Sequence, residues 1–196
     1  FFSKEYQEGF GVSFTDTFFV PLDGLDDDKP TALGSAGGTI YLFRENSIWA
    51  LSGDGPDKTG AGQYYTPQLV SNSIGALKGS PTIFTDEGLF FQSTKGIFII
   101  NANGITYIGS PVEDILGTSR IIDMIQDQKT STIRFITDSS VIAYDYGAKQ
   151  WSNYTFSTLS SNKIVGAGNA DGDIYLANND NKLWKESGYK LGTTYL

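Results

Sequence analysis

One strand–turn–strand unit recurs four times in this chain, and that recurrence restricts the fold more than any other feature. The first copy runs Ile40-Tyr41-Leu42-Phe43, then Arg44-Glu45-Asn46-Ser47, then Ile48-Trp49-Ala50-Leu51. The second places Leu89-Phe90-Phe91 and Ile97-Phe98-Ile99-Ile100 around Ser93-Thr94-Lys95-Gly96. The third joins Ile133-Arg134-Phe135-Ile136 to Val141-Ile142-Ala143-Tyr144 through Thr137-Asp138-Ser139-Ser140, and the fourth joins Ile174-Tyr175-Leu176-Ala177 to Leu183-Trp184. The copies start 49, 44 and 41 residues apart. Each strand is rich in β-branched and aromatic residues and each turn is polar, the signature of an antiparallel hairpin. A lone hairpin is marginal in water because its apolar face stays wet, so stacked repeats must cover one another.

A period of 40 to 50 residues is that of four-stranded propeller blades. A β-sandwich also recurs in its turns, but typically every 8 to 12 residues. The expected fold is therefore all-β, a propeller-like array of antiparallel units, with a sandwich as the alternative. Gly104 to Gly109 and Trp151 to Phe156 read as further strands of the second and third units. Gly11 to Val20 reads as one more strand or hairpin. We assign residues 1–37 to an N-terminal strand and acidic loop and 38–196 to the repeats, read as one domain. Phe1-Phe2-Ser3-Lys4-Glu5 has neither an initiator methionine nor the pattern of a signal peptide, and suggests a piece of a longer polypeptide.

One segment departs from the β pattern. Ser110-Pro111-Val112-Glu113 has the spacing of a capping box with proline at the first helical position, and Gly117 can end the turn. This predicts one short helix near 111–116. Trp49, Phe98, Ile142 and Trp184 occupy the same place in successive units and are expected to face equivalent cores.

The residue inventory narrows the chemistry. The chain has no cysteine and no histidine, so disulfides, thiolate metal sites, Ser-His-Asp catalysis and imidazole bases are excluded. No P-loop, dinucleotide fingerprint or nucleophile elbow is present. The net charge of −8 disfavours specific binding to nucleic acid. No run of 18 apolar residues marks a membrane span.

Four candidate features remain. Asp23, Asp26, Asp27 and Asp28 supply carboxylates for a cation, but without the ligand spacing of an EF-hand they read as a solvated loop. Asn169-Ala170-Asp171-Gly172-Asp173 alternates oxygens in the manner of a calcium loop, yet lies where a hairpin turn is expected. The glycine-rich stretch Gly53 to Gly62 follows a strand without opening a helix, and so lacks the main element of a phosphate cradle. Asn153-Tyr154-Thr155 is a glycosylation sequon, relevant only to a secreted eukaryotic protein. No catalytic, cofactor-binding or metal-binding residue is assigned, no cofactor is expected, and the chain is not expected to be an enzyme.

Taken in order, Ile40 to Gly53, Val70-Ser71-Asn72-Ser73-Ile74-Gly75, Gly79-Ser80-Pro81, Asp86-Glu87-Gly88-Leu89-Phe90-Phe91, Lys95-Gly96-Ile97-Phe98 and Ile108-Gly109-Ser110-Pro111-Val112-Glu113 form a familiar series. Over residues 38 to 156 it resembles the β-propeller structural proteins of bacteriophage tails, the nozzle or tail-tubular class of short-tailed phages and the related DNA-stabilisation proteins. That resemblance implies a virion component without catalytic activity, made in the host cytoplasm. It implies assembly as a ring with itself and with other tail and portal proteins, around DNA that passes without specific binding. The alternative is a carbohydrate- or receptor-binding propeller in which Trp49, Trp151 or Trp184 stacks on sugar.

Overall fold

The computed structural model describes residues 28–55, 62–155 and 163–186, together with 9, 21 and 22. The expected strand at 11–20, Asp23, Asp26 and Asp27, residues 56–61 of the glycine-rich loop, and Phe156 lie outside these. The chain divides into two compact units, Phe1–Lys78 and Gly79–Leu196, so the first repeat falls in one and the other three in the second.

All four expected hairpins are present, each extended into a larger up-and-down antiparallel sheet. In the first unit, β1 (Pro30–Ala36), β2 (Thr39–Arg44), β3 (Ile48–Leu51) and β4 (Gln68–Ser71) pair in chain order. In the second unit, β5 (Thr82–Thr85), β6 (Gly88–Ser93), β7 (Gly96–Asn101) and β8 (Gly104–Tyr107) form a second four-stranded sheet. A third contains β9 (Asp123–Asp127), β10 (Thr132–Ile136), β11 (Ser140–Asp145) and β12 (Gln150–Thr155). Among the described residues the last has three strands, β13 (Ile164–Ala170), β14 (Asp173–Asn178) and β15 (Leu183–Lys185). The fold is thus all-β, as its β-branched and aromatic strands require.

The repeats agree down to register. Leu42 lies opposite Trp49, Phe91 opposite Phe98, Phe135 opposite Ile142 and Leu176 opposite Trp184. At or just past the end of the second strand, three of the four sheets share one turn-closing bond. The backbone N–H of Arg44, Thr137 and Asn178 donates to the carbonyl of Ser47, Ser140 and Lys182 respectively, closing the turn. Thr137 and Asn178 add their side chains: Thr137 Oγ1 accepts from the Ser140 N–H at 3.0 Å and Asn178 Oδ1 from the Lys182 N–H at 2.9 Å. Short polar side chains that accept local N–H groups favour turns over continued strand.

In the second unit the sheets stack through two cores. Side chains alternate across a strand, so a sheet packed on both faces is apolar at successive positions. Strand β10 illustrates it. Ile133 and Phe135 join Phe90, Ile97, Ile99, Ile142 and Tyr144 in one core, against the β5–β8 sheet. Ile136 points the other way and meets Ile125, Val141, Ile164, Ile174 and Leu176, against the β13–β15 sheet. The Phe90 ring stands 6.2 Å from that of Phe135 and 6.1 Å from that of Tyr144, tilted in both cases. Tilted aromatic contacts add to the free energy of area burial.

Two expectations are refined. Phe98 and Ile142 are buried as the alignment implies, but Trp49 and Trp184 are half-buried. The short helix exists as one 3-10 turn, Ser110–Val112, running into α1 (Glu113–Leu116), and the N–H of Gly117 closes it on the Glu113 carbonyl. The capping box does not form. Gly109 takes the cap position, no side chain caps it, and Glu113 Oε2 instead accepts a hydrogen bond from Tyr107 Oη at 3.1 Å. Proline at the start tightens the first turn and places Ser110 inside the helical segment instead of before it.

The helix is held through Gln92, a polar side chain buried on β6. Its Oε1 accepts from the Ile121 N–H at 2.7 Å and Ser80 Oγ at 3.2 Å, and its Nε2 donates to the Ser119 carbonyl at 2.8 Å. The chain leaving α1 is thereby fixed, and Val112, Leu116 and Ile121 are carried into the core. Replacing Gln92 by Leu strands the Ile121 N–H and the Ser119 carbonyl, at a cost of about 2–4 kcal/mol. Phe135→Ala, fully buried between two sheets, is expected to cost about 3–5 kcal/mol. Urea denaturation of both variants checks these values, and an unshifted midpoint for either contradicts the packing described.

Candidate functional site

Among the described residues, the candidates named from sequence are each engaged in local structure of their own unit. Asp28 is engaged within the first unit, where Oδ1 accepts from the Asn46 N–H at 2.9 Å and Oδ2 accepts from Ser47 Oγ. It braces the β2–β3 turn. Asn169 to Asp173 form the hairpin turn between β13 and β14. Asp171 and Gly172 occupy its two central positions with φ of 54° and 77°, as a type I′ turn requires. Asn169 Oδ1 accepts from the Gly172 N–H at 3.1 Å, and Asp173 pairs with Lys185 Nζ at 2.6 Å. Those oxygens are used by the turn and by an ammonium. No three acidic side chains among the described residues gather around a cation position. The glycine-rich loop leads through residues 62–67 into β4, and no helix N-terminus follows it.

Two of the three tryptophans, Trp151 and Trp184, serve packing. Trp151 lies 4.6 Å from the Tyr144 ring and 5.6 Å from that of Phe135, on the edge of the core between the second and third sheets. Trp184 packs against the core that contains Ile174 and Leu176, with its indole N–H buried and without an acceptor. Asn153 of the sequon is exposed on β12.

The most concentrated electrostatic feature is one that the sequence reading missed. Arg134 lies on β10 with its side chain only 8% exposed, facing the last sheet. Its Nη2 meets Glu186 Oε1 at 3.0 Å, with Asp127 Oδ2 further off at 3.9 Å, and the guanidinium lies 5.0 Å from the centre of the Tyr154 ring. Asp127 is itself occupied, accepting from Thr130 Oγ1 at 2.7 Å and from the Lys129 N–H at 3.0 Å. A guanidinium stacked on an aromatic face and paired with carboxylates is compensated where it sits. The cluster joins β10, β12 and the chain after β15; its two carboxylates leave no net positive charge for an anionic ligand. A signal was present in the sequence, because a charged residue inside an otherwise apolar strand buried on both faces must find a counterion.

Three exposed ion pairs tie turns to neighbouring elements: Lys149 with Glu87 at 2.5 Å, Lys163 with Asp138 at 2.7 Å, and Lys185 with Asp173. Hydrogen bonding to the lysines holds the Asp138 and Asp173 carboxyls below the usual carboxylate range. Hydrogen bonds to Glu87, Asp138 and Asp173 push Lys149, Lys163 and Lys185 up respectively. Tyr144 and Tyr107 are raised first by burial, Tyr107 also by its bond to Glu113.

No family model matches the chain, and no curated protein matches it in sequence. Solved structures do. The extracellular domain of a one-component system from B. thetaiotaomicron superposes with a TM-score of 0.53 at 16% identity, over 85% of this chain. A second structure, described as the extracellular domain of a hybrid two-component system from the same organism, gives 0.53 at 18% identity over 88%. This chain covers only 22% of either. At such identity the likeness is one of fold.

Two measurements test this electrostatic picture. Removing the Glu186 carboxylate by Glu186→Ala leaves Arg134 under-compensated and is expected to cost about 2–4 kcal/mol, more than Arg134→Met, which removes the buried charge itself. Equal losses from the two variants contradict the role given to Glu186. For the exposed pairs, lowered carboxyls contribute stability above their unfolded pKa that is lost as pH falls through the folded value. Raised lysines contribute stability below theirs that is lost as pH rises. Thermal melts should therefore be flat near neutrality and decline below about pH 4 and above about pH 10. Asp138→Asn should blunt the acid limb, and an unchanged limb counts against the pair.

Proposed function

We propose that the four sheets are consecutive blades of a β-propeller, and that this propeller is a structural element of a phage tail, part of the nozzle or tail-tube assembly through which DNA passes. The observation that carries the reading is the use made of the polar groups. Asp28, Gln92, Thr137, Asp173 and Asn178 all serve turns, linkers or ion pairs, and Arg134 joins two sheets. The geometry reads as a wall and not as a reaction centre. The sheets support the propeller arrangement by their uniform up-and-down order, shared register and stacking of neighbours on opposite faces. The resemblance over residues 38–156 supplies the tail role, with a homo-oligomeric ring and contacts to other tail and portal proteins.

A net charge of −8 suits a channel component, because each phosphate neutralised by Lys or Arg adds counterion-release free energy that would hold the genome in place. A second reading, a receptor- or carbohydrate-binding extracellular propeller, draws its support from the extracellular domains that the chain resembles in fold. Of the three tryptophans expected to stack on sugar, Trp151 and Trp184 pack against inter-sheet cores, which leaves Trp49.

The discriminating experiment pairs a duplex-DNA titration of the protein at low salt with immunogold localisation in particles. Weak DNA binding and label at the tail are expected. Tight, salt-sensitive binding overturns the passive-channel role. Label absent from virions, with retention on a glycan array, transfers the function to the second reading.

A further inference from the structure

The connection between β7 and β8 carries a chemistry that neither the packing nor the proposed function uses. Asn101 pairs with Gly104 across it, and Ala102 and Asn103 form its exposed tip. Gly104 has a φ of 102°, a conformation that side chains disfavour, so the turn itself calls for glycine there. Its neighbour is Asn103, and an Asn-Gly pair occurs nowhere else in the chain.

The side-chain carbon Cγ of an asparagine and the backbone nitrogen of the next residue close a five-membered ring when they bond. A side chain on that next residue crowds the approach, whereas glycine leaves it open. The space at the Cβ position of Gly104 is empty as well, with no atom within 4 Å. Asn103 is exposed, and among the described residues nothing holds its side-chain amide; its backbone N–H donates to Asn101 Oδ1 at 2.9 Å. Other asparagines are tied down. Oδ1 of Asn169, Asn178 and Asn179 accepts from backbone N–H groups, and each of these residues is followed by one that bears a side chain.

We propose that Asn103 is a site of spontaneous covalent modification whose product loosens β8 from the second sheet. The Gly104 nitrogen attacks Asn103 Cγ. A carbon–nitrogen bond forms, the bond from Cγ to Nδ2 breaks, and Nδ2 departs as ammonia with the Gly104 amide proton. Water then opens the cyclic imide at either of its two carbonyls. One opening leaves an aspartate with an ordinary backbone. The other leaves isoaspartate, in which the main chain runs through Cβ and the connection is one atom longer. Both replace a neutral amide with a carboxylate.

Loop length fixes the register of a hairpin, so the added atom disturbs the pairing next to the turn. Strand β8 is the end strand of its sheet and has β7 as its one partner there. Its far end keeps separate anchors. The Ile108 and Gly109 N–H groups donate to the Ile97 carbonyl, and the Tyr107 ring lies 5.0 Å from that of Phe98. Loosening is therefore expected from Gly104 to Thr106, the stretch nearest the turn.

The test holds the full chain at mildly alkaline pH and body temperature, where the attacking nitrogen loses its proton more readily, and follows it by peptide mapping and hydrogen exchange. Residue 103 is expected to gain one mass unit before any other asparagine, in two chromatographically separate products. Amides from Gly104 to Thr106 should exchange at least about tenfold faster in aged than in fresh protein, the equivalent of about one hydrogen bond. Asn103→Ser keeps the backbone N–H that Asn101 accepts but has no amide to lose, and should show neither change on ageing. An unmodified residue 103, or earlier modification of another asparagine, overturns the site. Unchanged exchange in the modified protein, or equal acceleration in aged Asn103→Ser, overturns the loosening. The comparison of fresh with aged wild type stands whether or not the variant folds, and none of these outcomes bears on the tail assignment.

Discussion

A β-sheet has two faces, and water tolerates at most one of them when its strands are built from Ile, Val, Phe and Tyr. That constraint governs this protein. The β9–β12 sheet meets it fully, because Phe135 and Ile142 on one side and Ile136 and Val141 on the other are all buried against neighbours. Its neighbours share those two cores. Hydrophobic burial of this kind scales with apolar area and carries no directionality, but alternation along each strand makes a one-residue slip expose the apolar set, and the turns fix what remains of the register. In the turns, the Thr137 and Asn178 side chains accept the N–H groups of their own loops.

Polar chemistry inside the stack is confined to two kinds of place. Gln92 satisfies a linker that would otherwise bring bare backbone groups into the core. Arg134 carries charge into the seam between the third and last sheets and is compensated there by Glu186, the Tyr154 ring and, at longer range, Asp127. Each arrangement fixes geometry more than it adds net stability, since a buried hydrogen bond is worth little beyond the cost of leaving it unmade. The absence of histidine and cysteine from the whole chain leaves carboxylates, lysines and tyrosines as the titratable groups, and the described ones with shifted values are engaged in ion pairs, hydrogen bonds or burial.

Much of the fold was legible in the sequence, for a local reason. Strand, turn and strand lie within a dozen residues, and their alternation and turn chemistry depend on near neighbours only. The four hairpins, strands β8 and β12, and the helical segment ending at Gly117 all fall in that class. What failed was anything decided at a distance. The half-burial of Trp49 and Trp184 depends on what lies across each sheet, which the repeat alignment cannot state. The Arg134 cluster draws its partner from 52 positions away, at Glu186, and Gln92 reaches residues 119 and 121. For the candidate site the same division holds: the Asn169–Asp173 turn was readable because turn geometry is local.

The graded covering of the sheets has a bearing on how the molecule comes apart. Within the second unit the middle sheet is clasped on both faces, while among the described residues the last shares one core with it and is tied to it by the Arg134–Glu186 and Lys163–Asp138 pairs and by the Ala167 N–H donating to Asp123 Oδ2. When stability is assembled from contacts between neighbours only, opening begins at the least-clasped member and advances inward. The amides of β14 and β15 should then exchange with deuterium through a partial opening that leaves β10 and β11 intact. Detachment of the last sheet from the middle one would expose Ile136 and Val141 before it disturbs Phe135, which lies in the other core.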